Sequence, residues 1–349
     1  MKKLFLLFFV LLCFNCSNQK PVIVPVSAIE IVEVYQDSTL SVRAIEILDD
    51  GNLAFSGNKS RYGIYNTKKD LISIGNLNTP DSLMTEFRAV GHTAEDFFTL
   101  SVANPALLYK TGDSGHMELV YKEEHENVFY DAMNFWNDKE GIAVGDPIDG
   151  CMSVIITRDG GNSWHKLDCD KLPNANKGEA AFAASNTNIS IYKNHTWIAT
   201  GGESSRILYS DDKGLSWQVF ETPIIQGKPT TGIYSIDFYD AKNGFAIGGD
   251  YTAADATINN KIVTTDGGIT WQTVANGKSL GYRSCVQYIP NGNAKELLAV
   301  GFKGIDYSSD GGQTWKNLSQ EGFYTVRFVN DSTAFAAGSK RISKLNFRR

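Results

Sequence analysis

The sequence predicts an all-β chain, folded as a seven-bladed β-propeller of four-stranded antiparallel blades and closed by an N-terminal strand. Three observations predict it. The first is a turn motif that recurs in register. Four segments read Ser/Thr-x-Asp-x-Gly-x-Ser/Thr-Trp: residues 157–164 around Asp159, 210–217 around Asp212, 264–271 around Asp266 and 308–315 around Asp310. The second is the period: Thr111, Thr157, Ser210, Thr264 and Ser308 follow one another at 46, 53, 54 and 44 residues, the length of a propeller blade. The third is a short Gly-apolar-Ala-apolar-Gly run upstream of the motif, clearest at residues 141–145 and 244–248, with variants at 53–57, 197–201, 298–301 and 335–338. Such brief runs between polar turns read as buried strands, and almost nothing in the chain reads as a helix.

The chain opens on a different kind of segment. Lys2 and Lys3 precede an apolar run over residues 4–12, too short to span a bilayer and suited to an export signal. It ends near Cys13 and Cys16, and Cys16 followed by Ser17 and Asn18 resembles a bacterial lipoprotein processing site. The expectation is a lipoprotein signal over residues 1–16 with Cys16 lipidated, a linker over 17–27 and one propeller domain over 28–349. The protein would be exported and lipid-anchored on the periplasmic or outer face of a bacterial membrane.

Within the domain, a degenerate unit around residues 43–74 comes first. A fifth, partial copy of the motif at Thr111, Asp113 and Gly115 has Met117 and Glu118 where the hydroxyl and the indole should be. The last unit, residues 324–347, stops after its third strand, whereas residues 29–34 alternate like a strand and belong to no unit. Pairing 29–34 beside 341–345 completes the seventh blade and removes two free sheet edges. In each motif the Asp accepts hydrogen bonds within its own turn and the Gly supplies a positive φ, so the four aspartates are structural. Trp164, Trp217, Trp271 and Trp315 are expected to be buried at equivalent places.

Composition excludes several functions. Net charge is −6, with 33 basic and 39 acidic residues, and no basic stripe marks a nucleic-acid surface. Cys151, Cys169 and Cys285 lack paired metal-ligand spacing, and no Gly-x-Gly-x-x-Gly joins a strand to a helix, so no metal and no cofactor is expected. Cys151 opens one strand of the 151–169 hairpin and Cys169 closes the other, nearly opposite, so either a disulfide joins them or a slipped register leaves two free thiols. Cys285 reads as a small buried hydrophobe.

In a blade of this kind the turns bearing the motif lie on one face and the loops joining second to third strands on the other. The starts of the innermost strands carry Arg43, Arg88, Asp131, Glu179, Tyr234, Arg283 and Tyr324, and the loops add Asp146, Asp149, Glu203, Asp250, Tyr251 and Lys303. These converge on one central mouth. Two readings stay open: a ligand site, or Arg–carboxylate pairs that staple the ring.

The turn motif is the Asp-box, or BNR repeat. With it, residues 129–135, 145–150, 178–184, 248–251 and 281–284 resemble an uncharacterised family of secreted bacterial BNR-repeat propellers, and more distantly photosystem II assembly factors, which are seven-bladed and non-enzymatic. The resemblance implies a binding or assembly scaffold for a protein, peptide or glycan, monomeric, without cofactor. Sialidases also use Asp-box propellers, with an arginine cluster and a Tyr–Glu pair. Their Arg-Ile-Pro segment is missing here, Arg43 being followed by Ala44 and Arg88 by Ala89. The alternative is therefore a glycan-cleaving hydrolase, sialidase-like or otherwise, with Asp131, Glu179 and Tyr234 as its candidate catalytic groups.

Overall fold

The computed structural model describes residues 24–77, 79, 83–112, 116–278 and 280–349. The lipidation residue Cys16 and the degenerate motif at Asp113 and Gly115 lie outside the described residues. The chain is all-β: its strands form six antiparallel sheets, four of four strands, one of six and one of seven. Among the described residues, the helical segments are two 3-10 turns, Cys169–Lys171 and Tyr251–Ala253.

The second strands explain the stacking of these sheets. Gly244–Asp250 and Leu53–Gly57 are buried along their whole length, so both faces of each strand are covered, and a neighbouring sheet must lie against each. The apolar clusters confirm it. One joins Phe98, Leu100 and Leu108 of one sheet to Tyr130, Met133, Ile155 and Trp164 of the next. The core is thus distributed between sheets, while outer strands such as Leu71–Asn76 are largely solvated.

The innermost strands touch in cyclic order: Phe87–His92 meets Tyr130–Asn137, which meets Ile189–Tyr192, then Thr231–Phe238, Cys285–Tyr288 and Thr325–Asn330. The last of these and the first both meet the long strand Ala28–Ile47. That strand serves two neighbours. Its first part pairs with Ser339–Arg348, setting Ile29 against Phe347 and Ile31 against Leu345. Past an irregularity between Gln36 and Ser41 it pairs with Leu53–Gly57 instead.

The four Asp-box turns are alike bond for bond. Asp159 Oδ1 accepts from Thr157 Oγ1 at 2.9 Å and from Ser163 N at 3.0 Å, and its Oδ2 accepts from Ser163 Oγ at 2.6 Å. Asp212, Asp266 and Asp310 repeat the pattern. Partial burial pushes these carboxyls up, but the hydroxyl and backbone donors outweigh it and hold all four below the usual carboxylate range. Their support is therefore present above about pH 4 and is lost as pH falls through the folded-state values. The glycine is required by space as well as by φ: Gly161 has φ +81°, and a Cβ there would lie 2.2 Å from the Phe98 ring of the adjacent sheet. Each box is thus a turn and a spacer between sheets.

Trp164 and Trp271 are buried, at 5% and 7% exposure. Trp217 and Trp315 are only half-buried, which corrects the expectation for two of the four. Cys151 and Cys169 form a disulfide with Cα atoms 5.5 Å apart. The hairpin register sets Ile156 against His165, but Cys169 already heads a 3-10 turn beyond the short strand His165–Lys166.

One strand assignment is overturned. Glu179 does not open an innermost strand; that strand is Ile189–Tyr192, and Glu179–Ala180 instead pairs with Gly201–Gly202. Residues 181–188 between them are led into the middle of the ring. Ser185 Oγ donates to Ser284 O at 2.7 Å, Thr187 Oγ1 donates to Ser235 Oγ at 2.8 Å, and Thr325 Oγ1 donates to Ser185 O at 2.9 Å. Asn186, with φ +60°, accepts from Met133 N at 2.9 Å and donates to Val90 O at 2.8 Å. The chain plugs its own centre, tying together strands from opposite sides of the ring.

Candidate functional site

Four of the innermost strands share a local irregularity near their starts, which brings Arg43, Arg88 and Tyr234 to the mouth. In each the ladder skips one residue, and the skipped residues are Arg43, Arg88, Asp131 and Tyr234. A bulge leaves its extra residue unpaired and turns its side chain out of the regular alternation. Four sites thus repeat one backbone device.

Above the plug lies a cavity of about 420 Å³ lined by Arg43, Arg88, Asp146, residues 180–184 and a ring of aromatics: Phe129, Phe182, Tyr234, Tyr251, Tyr282, Phe302 and Tyr324. Phe182 of the plug stacks on Tyr234 with centroids 3.8 Å apart, and Tyr282 stands edge-on to Tyr234 at 4.7 Å. The Arg43 guanidinium lies 4.0 Å from the centre of the Tyr324 ring, a cation–π contact. Arg43 also donates to Ala184 O at 3.4 Å, and no carboxylate lies within ion-pair distance of it among the described residues. Burial, then the Arg88 charge, lower its pKa. Arg88 is paired with Glu86.

Phe129, Asp146 and Ala180 also belong to an open trough of about 830 Å³, lined by residues 126–128 and 175–180. Mouth and trough are continuous. Asp146 stands at their junction and accepts from Ala181 N at 2.8 Å; burial pushes its carboxyl up to about 6 against the pull of that N–H. Asp131 is fully buried beside it, and neither of its oxygens has a hydrogen-bond partner of good geometry. Burial first and the Asp146 charge second raise its pKa well above the normal range, against weaker pulls from Arg88 and the Ala183 N–H. Asp131 thus lies behind the wall and lines neither cavity.

The remaining residues expected at the mouth are engaged elsewhere. Glu179 is gripped by Arg206 through Nε to Oε1 at 3.1 Å and Nη2 to Oε2 at 2.5 Å, with Thr200 Oγ1 at 2.6 Å. Arg283 is buried on Asp306, Nε to Oδ2 at 2.7 Å. Asp250 is buried and accepts from Thr252 N at 2.9 Å. Glu203 is exposed and lines neither cavity, and Lys303 pairs with Asp255 at 2.9 Å. Burial within the fold satisfies Glu179, Arg283 and Asp250, which act as staples, whereas Glu203 and Lys303 lie on the exposed surface. Phe182, Tyr282, Phe302 and the whole plug escaped the sequence reading. The unusually long stretch between Trp164 and Trp197 was the available signal.

The comparisons with known proteins agree with this architecture. The BNR/Asp-box repeat family matches residues 262–273, the turn around Asp266. No curated protein sequence matches the chain. Among solved structures, YCF48 bound to D1 peptide superposes with TM-score 0.65 at 12% identity, over 93% of this chain and 98% of that one. YCF48 from Cyanidioschyzon merolae gives 0.63 at 13%, over 92% and 99%. A GH74 xyloglucanase from Xanthomonas campestris gives 0.63 at 12%, over 90% of this chain and 53% of that one. Fold and turns thus define an all-β, propeller-like protein carrying BNR/Asp-box repeats. In particular, it is structurally similar to the YCF48 photosystem II assembly factor propellers.

Proposed function

We propose that this chain is a seven-bladed propeller closed by its N-terminal strand, and that it acts as a binding scaffold for an extended anionic peptide segment. The blade count treats the seven-stranded sheet as two blades joined through Ala28–Ile47, and counts one blade in each other sheet. The observation that carries the binding function is Arg43: a half-buried guanidinium with no carboxylate in ion-pair reach among the described residues, beside Arg88 in an aromatic-walled cavity that shares residues with an open trough. Guanidinium pairs beside aromatic rings suit an anionic group attached to an apolar body, and an open trough suits a chain. The peptide seen on a YCF48 propeller supports this choice of ligand class. Catalysis finds less support. Among the described residues Asp146 is the one carboxylate lining the mouth, and of the two others lining the trough, Glu126 and Glu179, the latter is held by Arg206, whereas hydrolysis by two carboxylates needs a facing pair.

The test is binding of a fluorescein-labelled Glu–Tyr copolymer. Changing Arg43 and Arg88 together to Ala is expected to weaken binding at least tenfold with an unchanged thermal midpoint. Binding of polygalacturonate in its place would transfer the site to acidic glycans, and binding of neither polymer overturns the proposal. Affinity is also expected to fall as pH rises through about 6, because ionised Asp146 adds a negative charge where the ligand's anion sits. Asp146→Asn should flatten that dependence, as measured by titration between pH 5 and 7.5.

The reading includes export and a lipid on Cys16. The Cys151–Cys169 disulfide suits an oxidising compartment. Mass spectrometry of the membrane-extracted protein, with Cys16→Ser as control, tests the anchor.

A further inference from the structure

Residues 169–188 are held in two different ways. The inner half, from Glu179 onward, is locked to the ring by the Glu179–Arg206 pair, the Asp146–Ala181 bond and the bonds of Ser185 and Asn186. The outer half, 169–178, lies between two sheets. Leu172 is buried in the core between them; the rest is held by a bridge between Cys151 and Asn174, bonds from Ala175 N to Gly150 O and from Glu203 N to Gly178 O, each at 2.8 Å, a bond from Asn176 N to Glu179, single bonds from Arg206 to Asn174 O and from Asn176 to Ser204, and one covalent tie, Cys151–Cys169. Residues 175–180 are one wall of the trough. The disulfide therefore joins that wall to the hairpin end at Gly150, which borders the same trough. Cys151 is buried, while Cys169 is half-buried against the apolar core, so Cys169 is the more accessible of the two cysteines.

We propose that Cys151–Cys169 is a thiol–disulfide exchange site that latches the trough wall, and that its reduction by a dithiol partner opens the wall without opening the ring. A thiolate of the partner attacks Cys169 Sγ, the Sγ–Sγ bond breaks and Cys151 leaves as a thiolate, taking up one proton. The partner's second thiol then resolves the mixed disulfide, releasing Cys169 as a thiol and the partner as its own disulfide. Two electrons and two protons pass from partner to protein. The coupling to ligand rests on the mouth and trough being the binding site; the opening of the wall does not.

The experiment compares the oxidised protein, the protein reduced with dithiothreitol, and the Cys151→Ser/Cys169→Ser variant, by amide exchange and limited trypsinolysis. Residues 174–178 are expected to exchange at least tenfold faster after reduction, and cleavage after Lys171 and Lys177 to accelerate equally. Strands Gly244–Asp250 and Leu297–Gly301 should keep their protection. The double variant should match the reduced protein and ignore dithiothreitol. Equal protection in all three forms overturns the latch, and so does loss of protection throughout the ring, which would make the bridge a general staple. Glu–Tyr copolymer affinity should drop at least fivefold on reduction; an unchanged affinity with an opened wall overturns the coupling. Failure of the oxidised protein to bind the copolymer overturns the binding-site reading alone, since the exchange data judge the latch without any ligand.

Discussion

Trp164→Ala is expected to lower unfolding stability by about 3–5 kcal/mol, the usual range for removing a buried aromatic. The indole is 5% exposed and stands edge-on to Phe135 at 5.7 Å and to Phe98 at 6.3 Å, one ring from its own sheet and one from the neighbour. Removing it opens a void between two sheets that the Asp-box turn holds at fixed spacing, so little collapse can relieve it. Trp164→Phe should be far milder, because Nε1 of Trp164 has no hydrogen-bond partner among the described residues and its loss leaves nothing unsatisfied. In Trp271 the same atom donates to Gly268 O at 3.0 Å, so Trp271→Phe should cost more than Trp164→Phe. The half-buried Trp217 and Trp315 should lose only about 1–2 kcal/mol on change to Ala. Urea midpoints of the variants check the ranking, and equal losses at all four positions would refute it.

Asn186→Ala is expected to cost about 3–5 kcal/mol at a position that belongs to no regular element. Its amide satisfies the backbone N–H of Met133 and the carbonyl of Val90, on two adjacent innermost strands, and each orphaned buried group costs about 1–3 kcal/mol. The left-handed backbone adds strain that Asn tolerates better than Ala. Arg327 donates to the Asn186 carbonyl at 3.1 Å, a contact that the substitution keeps. Asn186→Gly relieves the strain but not the orphaned groups, so it should fall between wild type and Ala. Because the plug forms the floor of the mouth, the Ala variant should also weaken copolymer binding, measured by the same titration under conditions where it is still folded. A loss below about 1 kcal/mol would mean that the plug is an ornament of the ring.

The sequence by itself determined the repeating parts. The four Asp-box turns and the all-β class are encoded locally: an Asp, a Gly and a hydroxyl at set spacing close one turn wherever they occur, and that turn brings Cys151 near Cys169, where the 3-10 turn at Cys169 completes the bridge. Arg43, Arg88, Tyr234 and Asp146 could be assigned to the mouth for a related reason, since strand starts and loops recur at fixed phase within a blade. Tertiary structure alone decided which charges are free. Arg283 and Arg43 occupy matching phases, but Asp306 lies within reach of one guanidinium and only a tyrosine ring lies under the other. It also decided that Asp131 sits behind the wall and that residues 181–188 fill the centre. The path of a non-repeating segment depends on the space left by strands distant in sequence, and the ionisation of a carboxyl depends on how much water those strands exclude. Neither quantity is local, so neither is written in the period of the repeat.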